Sequence, residues 1–138
     1  FLYRRKRAGQ LVSKSRYLGA QMLGYLDHDL WLDNARHANA MADLLATGVR
    51  ALPHTRLPLA VEANEVFAII PHAMHEALQS AGARYLVWPG EGTGTDNAGP
   101  DEVLVRWLTS FRTTPSEVRA LLAAAANPHP PLRPRRVD

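Results

Sequence analysis

Val103-Leu104-Val105-Arg106-Trp107-Leu108-Thr109 alternates with the two-residue period of a β-strand, Val103, Val105 and Trp107 on one face and Leu104, Arg106 and Leu108 on the other. Both faces are largely apolar, so the segment is expected as a central strand. Downstream, Thr114, Pro115 and Glu117 supply a helix cap, a first-turn proline and a capping-box acid, and the helix should continue through Leu121 and Leu122 to about Ala126. Upstream, Val66 to Ile70 is a β-branched run suited to a buried strand. Pro71 follows in the first turn of a helix over Met74, Ala77 and Leu78 that ends at Gly82, and Arg84 to Trp88 returns as a strand. Gly90 to Pro100 reads as a loop.

Further upstream, Leu11, Leu18, Met22 and Tyr25, widened by Leu23 and Leu26, form the stripe of a buried helix ending near Asp27. A second helix, antiparallel to the first, is expected to be capped by Asp29, to face inward through Leu32, Ala35, Ala38, Ala42 and Leu45, and to stop at Gly48. Arg50 to Glu62, with Pro53 and Pro58, reads as a short extended piece plus loop. The order implies an α+β domain, a small and mainly antiparallel sheet covered by helices on one face and preceded by a long helix pair. Residues 1–126 are expected as one domain and 127–138, with four prolines, as a disordered tail.

The 138 residues suffice for one domain with its own core. With 46% hydrophobic and 21% charged residues and no apolar run near the roughly 18 residues of a membrane span, the composition is globular, and no membrane partner is expected. The absence of cysteine removes thiolate metal sites and cysteine nucleophiles. Charge is uneven. Arg4, Arg5, Lys6, Arg7, Lys14 and Arg16 open the chain without an acid among them, while the central body is mildly acidic. Such a start is read either as a solvated terminus or as a contact for phosphate or nucleic acid.

Arg106 carries the most chemical information. A guanidinium between Leu104 and Leu108 is costly to desolvate unless an anion answers it. That anion is either an internal carboxylate, with Glu62, Glu65 and Glu91 as candidates, or a ligand carboxylate gripped bidentately. Other groups are weaker. His72 and His75 stand at helical spacing but read as a solvated face, and no metal site is expected. Gly90, Gly92 and Gly94 lack the lysine and the strand-to-helix setting of a phosphate loop. His28 and His37 build no catalytic triad, and Met22 and Met41 read as core.

Several stretches together resemble the low-specificity L-threonine aldolases. They are Tyr3-Arg4-Arg5-Lys6-Arg7-Ala8-Gly9-Gln10, Ser13-Lys14-Ser15-Arg16, Trp31-Leu32-Asp33-Asn34-Ala35-Arg36-His37-Ala38-Asn39-Ala40-Met41-Ala42, Val61-Glu62-Ala63-Asn64-Glu65-Val66-Phe67 and Val105-Arg106-Trp107-Leu108-Thr109-Ser110. The resemblance spans about residues 3 to 124 and corresponds to the carboxyl-terminal part of that family. It implies the small domain of a fold type I pyridoxal phosphate enzyme, a cytoplasmic homo-oligomer that cleaves β-hydroxy-α-amino acids to glycine and an aldehyde. It also implies that Arg106 binds the substrate α-carboxylate and that Lys6 reaches the cofactor phosphate. Where many members have an arginine this chain has Ser13, so the phosphate charge is expected from Lys14 or Arg16. The family holds its cofactor as a Schiff base on a lysine upstream of the Arg-Arg-Lys segment, a place that neither Lys6 nor Lys14 matches, and no catalytic residue is expected within these 138 residues. The isolated chain is therefore expected to be inactive. A different reading, a non-catalytic module that binds nucleic acid or a protein through residues 3–16, would show affinity falling steeply between about 50 and 200 mM salt. The aldolase reading expects no nucleic-acid partner.

Overall fold

Residues 1–9, 14–89 and 98–127 are described by a computed structural model, in which the chain divides into two units, Phe1–Asp33 and Asn34–Asp138. In the first unit, α1 (Leu2–Arg7) arises in the basic opening, where no helix was expected; leucine, arginine and lysine are all good helix formers. Helix α2 (Ser15–Leu26) follows the expected stripe but buries none of it. Leu18, Met22, Leu23, Tyr25 and Leu26 are all about half exposed or more, so Met22 is not core. The periodicity marks a face made to be covered, and no described residue of the unit covers it. Leu11 and Ser13 lie outside the described residues.

A 3-10 turn at Asp27–Asp29 separates α2 from α3 (Leu30–Arg50). His28 and Asp29 adopt left-handed backbone, with φ of 49° and 59°, which breaks the helix. Asp29 therefore lacks the extended backbone of an N-cap, contrary to expectation. Leu32 is half-buried and Ala35 exposed, so the inward face of α3 begins at Ala38 and continues through Met41, Ala42, Leu45, Ala46 and Val49. Gly48 does not end the helix. It lies against α5 (Pro115–Ala126), where a β-carbon would overlap the Leu122 side chain, so the glycine serves close approach instead of termination.

The sheet is antiparallel throughout. Strands β1 (Glu65–Pro71), β2 (Leu86–Val87) and β3 (Glu102–Leu108) are arranged β1-β3-β2, with β3 central as expected. The anticipated strand over Arg84 to Trp88 shrinks to two residues, although the Trp88 amide still donates to the Leu104 carbonyl at 2.9 Å. The extended piece before β1 survives as one bridge, between Arg56 and Ile69. Pro71 closes β1 and forms the N-cap of α4 (His72–Ser80), one position before the first turn proposed for it.

Val66, Ala68 and Ile70 of β1 and Val103, Val105 and Trp107 of β3 pack with side chains of α3, α4 and α5 in one core, so the helices cover one face of the sheet. The capping box of α5 forms in full: the Glu117 amide donates to Thr114 Oγ1, and Glu117 Oε2 accepts from the Thr114 amide at 2.7 Å. The Thr114 amide and the Thr114 hydroxyl, which also donates to Glu117 Oε2 at 2.8 Å, hold the Glu117 carboxyl below its usual range, the amide most. Thr109 ties the end of β3 to its surroundings. Its amide and hydroxyl donate to the Asn64 and Ala38 carbonyls, and its own carbonyl accepts from Asn64 Nδ2. Only Ala98–Pro100 of the expected loop, and Asn127 of the expected tail, are among the described residues.

Candidate functional site

Opposite the helices, β3 presents Glu102, Leu104, Arg106 and Leu108, and antiparallel register sets Phe67 across from Arg106 on β1 and Leu86 across from it on β2. Arg106 is three-quarters buried. Its Nη2 donates to Oε1 of Glu65, two residues from Phe67 on the same face of β1. Of the internal carboxylates that the sequence offered, register brings Glu65 to Arg106, while Glu62 is exposed in the preceding loop; Glu91 lies outside the described residues. The guanidinium carbon lies 5.3 Å from the centre of the Trp88 ring, which meets Phe67 edge-on at 5.6 Å. Trp88 and Phe67 were not anticipated at this site. Alternation puts each on a face, but only the register across two strands brings them to Arg106.

The guanidinium is underused. Among the described residues, Nε is buried without a hydrogen-bond partner, and Glu65 engages Nη2 alone. Leu108 is 60% exposed, so the arginine is flanked by one buried leucine, Leu104, and one open one. A second ion pair stands at the other end of β3. Arg56 Nη1 and Nη2 donate to both oxygens of Glu102 at 2.5 and 2.7 Å, and the Gly99 amide donates to Oε2 at 2.8 Å. The Arg56 hydrogen bonds and that amide hold the Glu102 carboxyl down to about 2, and the Glu102 bond raises Arg56.

The phosphate candidates belong to the first unit. Lys6 lies in α1 and Lys14 at the N-cap of α2, both exposed, and Arg16 Nη2 donates to the Tyr17 hydroxyl at 3.3 Å with its guanidinium 5.0 Å from the ring centre. The histidines separate. His72 is exposed, whereas His75 is half-buried with Nδ1 3.0 Å from the Tyr85 hydroxyl, so it does not share the solvated face expected for both. Burial pushes the Tyr85 hydroxyl above the ordinary phenol value, opposed by a hydrogen bond with Gln79. Tyr85 in turn meets Trp107 edge-on at 5.8 Å, beside a cavity of about 510 Å³. His37 Nε2 lies 2.7 Å from the Thr113 carbonyl, and His28 stands exposed beside Asp27.

No family model matches the chain. Among curated proteins, it is 38% identical over 123 residues to the low specificity L-threonine aldolase of a Pseudomonas species, an alignment covering 89% of this chain and 32% of that protein. Over that stretch the chain is similar to the low-specificity L-threonine aldolases. The enzyme of the same name from Pseudomonas aeruginosa is 47% identical over 92 residues, which cover 67% of this chain and 27% of that aldolase. The chain thus spans about a third or less of the aldolases it matches. None of its described helices is long and apolar enough to cross a membrane.

Proposed function

We propose that this chain is the carboxyl-terminal portion of a pyridoxal phosphate-dependent L-threonine aldolase, a carbon–carbon lyase that cleaves β-hydroxy-α-amino acids such as threonine and allo-threonine to glycine and an aldehyde. A cytoplasmic location and a homo-oligomeric assembly go with this reading. The observation that carries it is the guanidinium of Arg106, backed by Trp88 and bonded to Glu65 through Nη2 alone, with Nε buried and unpaired among the described residues. Five N–H donors in a planar fork exceed what one carboxylate oxygen uses, and the surplus suits the α-carboxylate of an amino acid.

Gripped there, the substrate loses rotational freedom about its carboxylate, which fixes the direction of its Cα–Cβ bond and lowers the barrier by orientation. The cofactor, when bound, supplies the electron sink that lets that bond break. The donor set of the first unit suits a phosphate dianion: Lys6, Lys14 and Arg16 are exposed, and residues 1–26 contain no acidic side chain to compete for them. These three residues would hold the phosphate.

In the complete polypeptide, Arg106→Lys is expected to raise KM and lower kcat together, because an ammonium keeps the charge but loses the fork. Arg106→Ala should cost on the order of 3 kcal/mol in kcat/KM. Unchanged kinetics in both variants would refute the reading. The 138-residue chain alone, given pyridoxal phosphate and L-threonine, should release no acetaldehyde, since both of its lysines sit on exposed surface. Release that survives a mock-purification control would count against it.

A further inference from the structure

Arg106 already has an anion in the structure, and the way that anion is held says what happens to it. Glu65 touches the guanidinium through one oxygen and one nitrogen, Oε1 and Nη2. Its side chain is 37% exposed and that of Arg106 25%, so solvent and solutes reach the pair. Arg106 is steadied independently by the Trp88 ring, whose centre lies 5.3 Å from the guanidinium carbon. In a guanidinium, Nη2 belongs to both two-donor edges, the one shared with Nε and the one shared with Nη1. A carboxylate that takes either edge bidentately must therefore share Nη2 with Glu65 or replace it, and two carboxylates on one nitrogen repel.

The pair is not needed to join the strands. β1 and β3 are held by a seven-residue antiparallel ladder and by the Asn64–Thr109 hydrogen bonds directly beside Glu65.

We infer that Glu65 is a displaceable internal anion that neutralises Arg106 in the empty site and is pushed aside by the incoming substrate carboxylate, so that it sets substrate affinity. The inference rests on the proposal that Arg106 binds that carboxylate. Glu65 is a positioning residue in this scheme and touches no reacting atom.

The test uses the complete aldolase with Glu65→Gln, and Glu65→Ala as a second variant should the first fold poorly. The probe is 3-hydroxybutyrate, which is threonine without its amine and so reports carboxylate binding alone, measured as a competitive inhibitor beside KM and kcat for L-threonine. Removal of the resident charge should lower both the inhibition constant and KM by about two- to five-fold, the range for a partly exposed ion pair, with kcat unchanged. In an Arg106→Ala background the Glu65→Gln effect should vanish. An inhibition constant that stays the same or rises in Glu65→Gln, while Arg106→Ala weakens binding, overturns the displacement alone. Arg106→Ala that leaves the inhibition constant unchanged overturns the underlying assignment of Arg106 as well.

Discussion

The two faces of β3 are built for different ends. Val103, Val105 and Trp107 enter a continuous apolar core with α3, α4 and α5, whereas Glu102, Leu104, Arg106 and Leu108 look onto the opposite face, which has ion pairs near both ends. On the covered face the side chains are interchangeable in kind and differ in shape, as a packed interior demands. On the other, each residue differs in kind: a carboxylate bonded to Arg56, a buried leucine, a guanidinium between an acid and an indole, and an exposed leucine. One strand thus carries stability on one side and, in the function proposed above, recognition on the other. Substitutions should divide along the same line.

The sharpest break would come from the covered face. Ile70→Ala removes a fully buried side chain from the core and should destabilise the fold by about 2–5 kcal/mol in urea titration. A loss below about 1 kcal/mol would mean that the helices do not seal this face. A smaller effect is expected from Glu102→Gln, read as the acid limb of a thermal-melt series. The Glu102 carboxyl is depressed in the folded state from 4.5 to about 2, so its contribution is complete above the higher value and is lost as pH falls through the lower one. The variant should flatten that limb and leave the slope at neutral pH unchanged; an unaltered acid limb would remove Glu102 from the ledger of this face. The least effect belongs to Leu86→Ser, at a side chain 57% exposed, which should shift stability by no more than about 0.5 kcal/mol while reducing self-association of the isolated chain by light scattering. A loss as large as that of Ile70→Ala would erase the distinction between the faces.

Local signals in the sequence carried the furthest. Thr114, Pro115 and Glu117 form their capping box as expected because all its partners lie within four residues, and β1 and β3 could be read from alternation and β-branching without knowledge of their partners. Signals that depend on distant packing did not translate. Gly48 looks like a helix stop until Leu122 is seen against it, and the stripe through Leu18 and Met22 states that a face wants cover without saying whether its own unit provides it. The candidate site divides in the same way. Arg106 stood out alone, since a cation between two leucines is anomalous in any context. The pairing with Glu65 instead of Glu62, and the arrival of Trp88, required a register linking residues about 20 and 40 positions away, which no local pattern contains.

The placement of the central strand last among the three also orders events on the ribosome. β1 cannot form its ladder with β3 until Glu102–Leu108 has been synthesised, and the thirty residues between Pro71 and Glu102 take roughly 2–6 s at common elongation rates. Throughout that interval Val66-Phe67-Ala68-Ile69-Ile70 is an uncharged, β-prone pentapeptide whose described pairing to earlier residues is the Arg56–Ile69 bridge, the kind of segment that nucleates cross-β association between nascent chains. The acid before it, Glu65, and the proline after it, Pro71, stand where gatekeepers against such association are found. A residue that answers Arg106 in the finished fold thus also guards the strand before the fold exists.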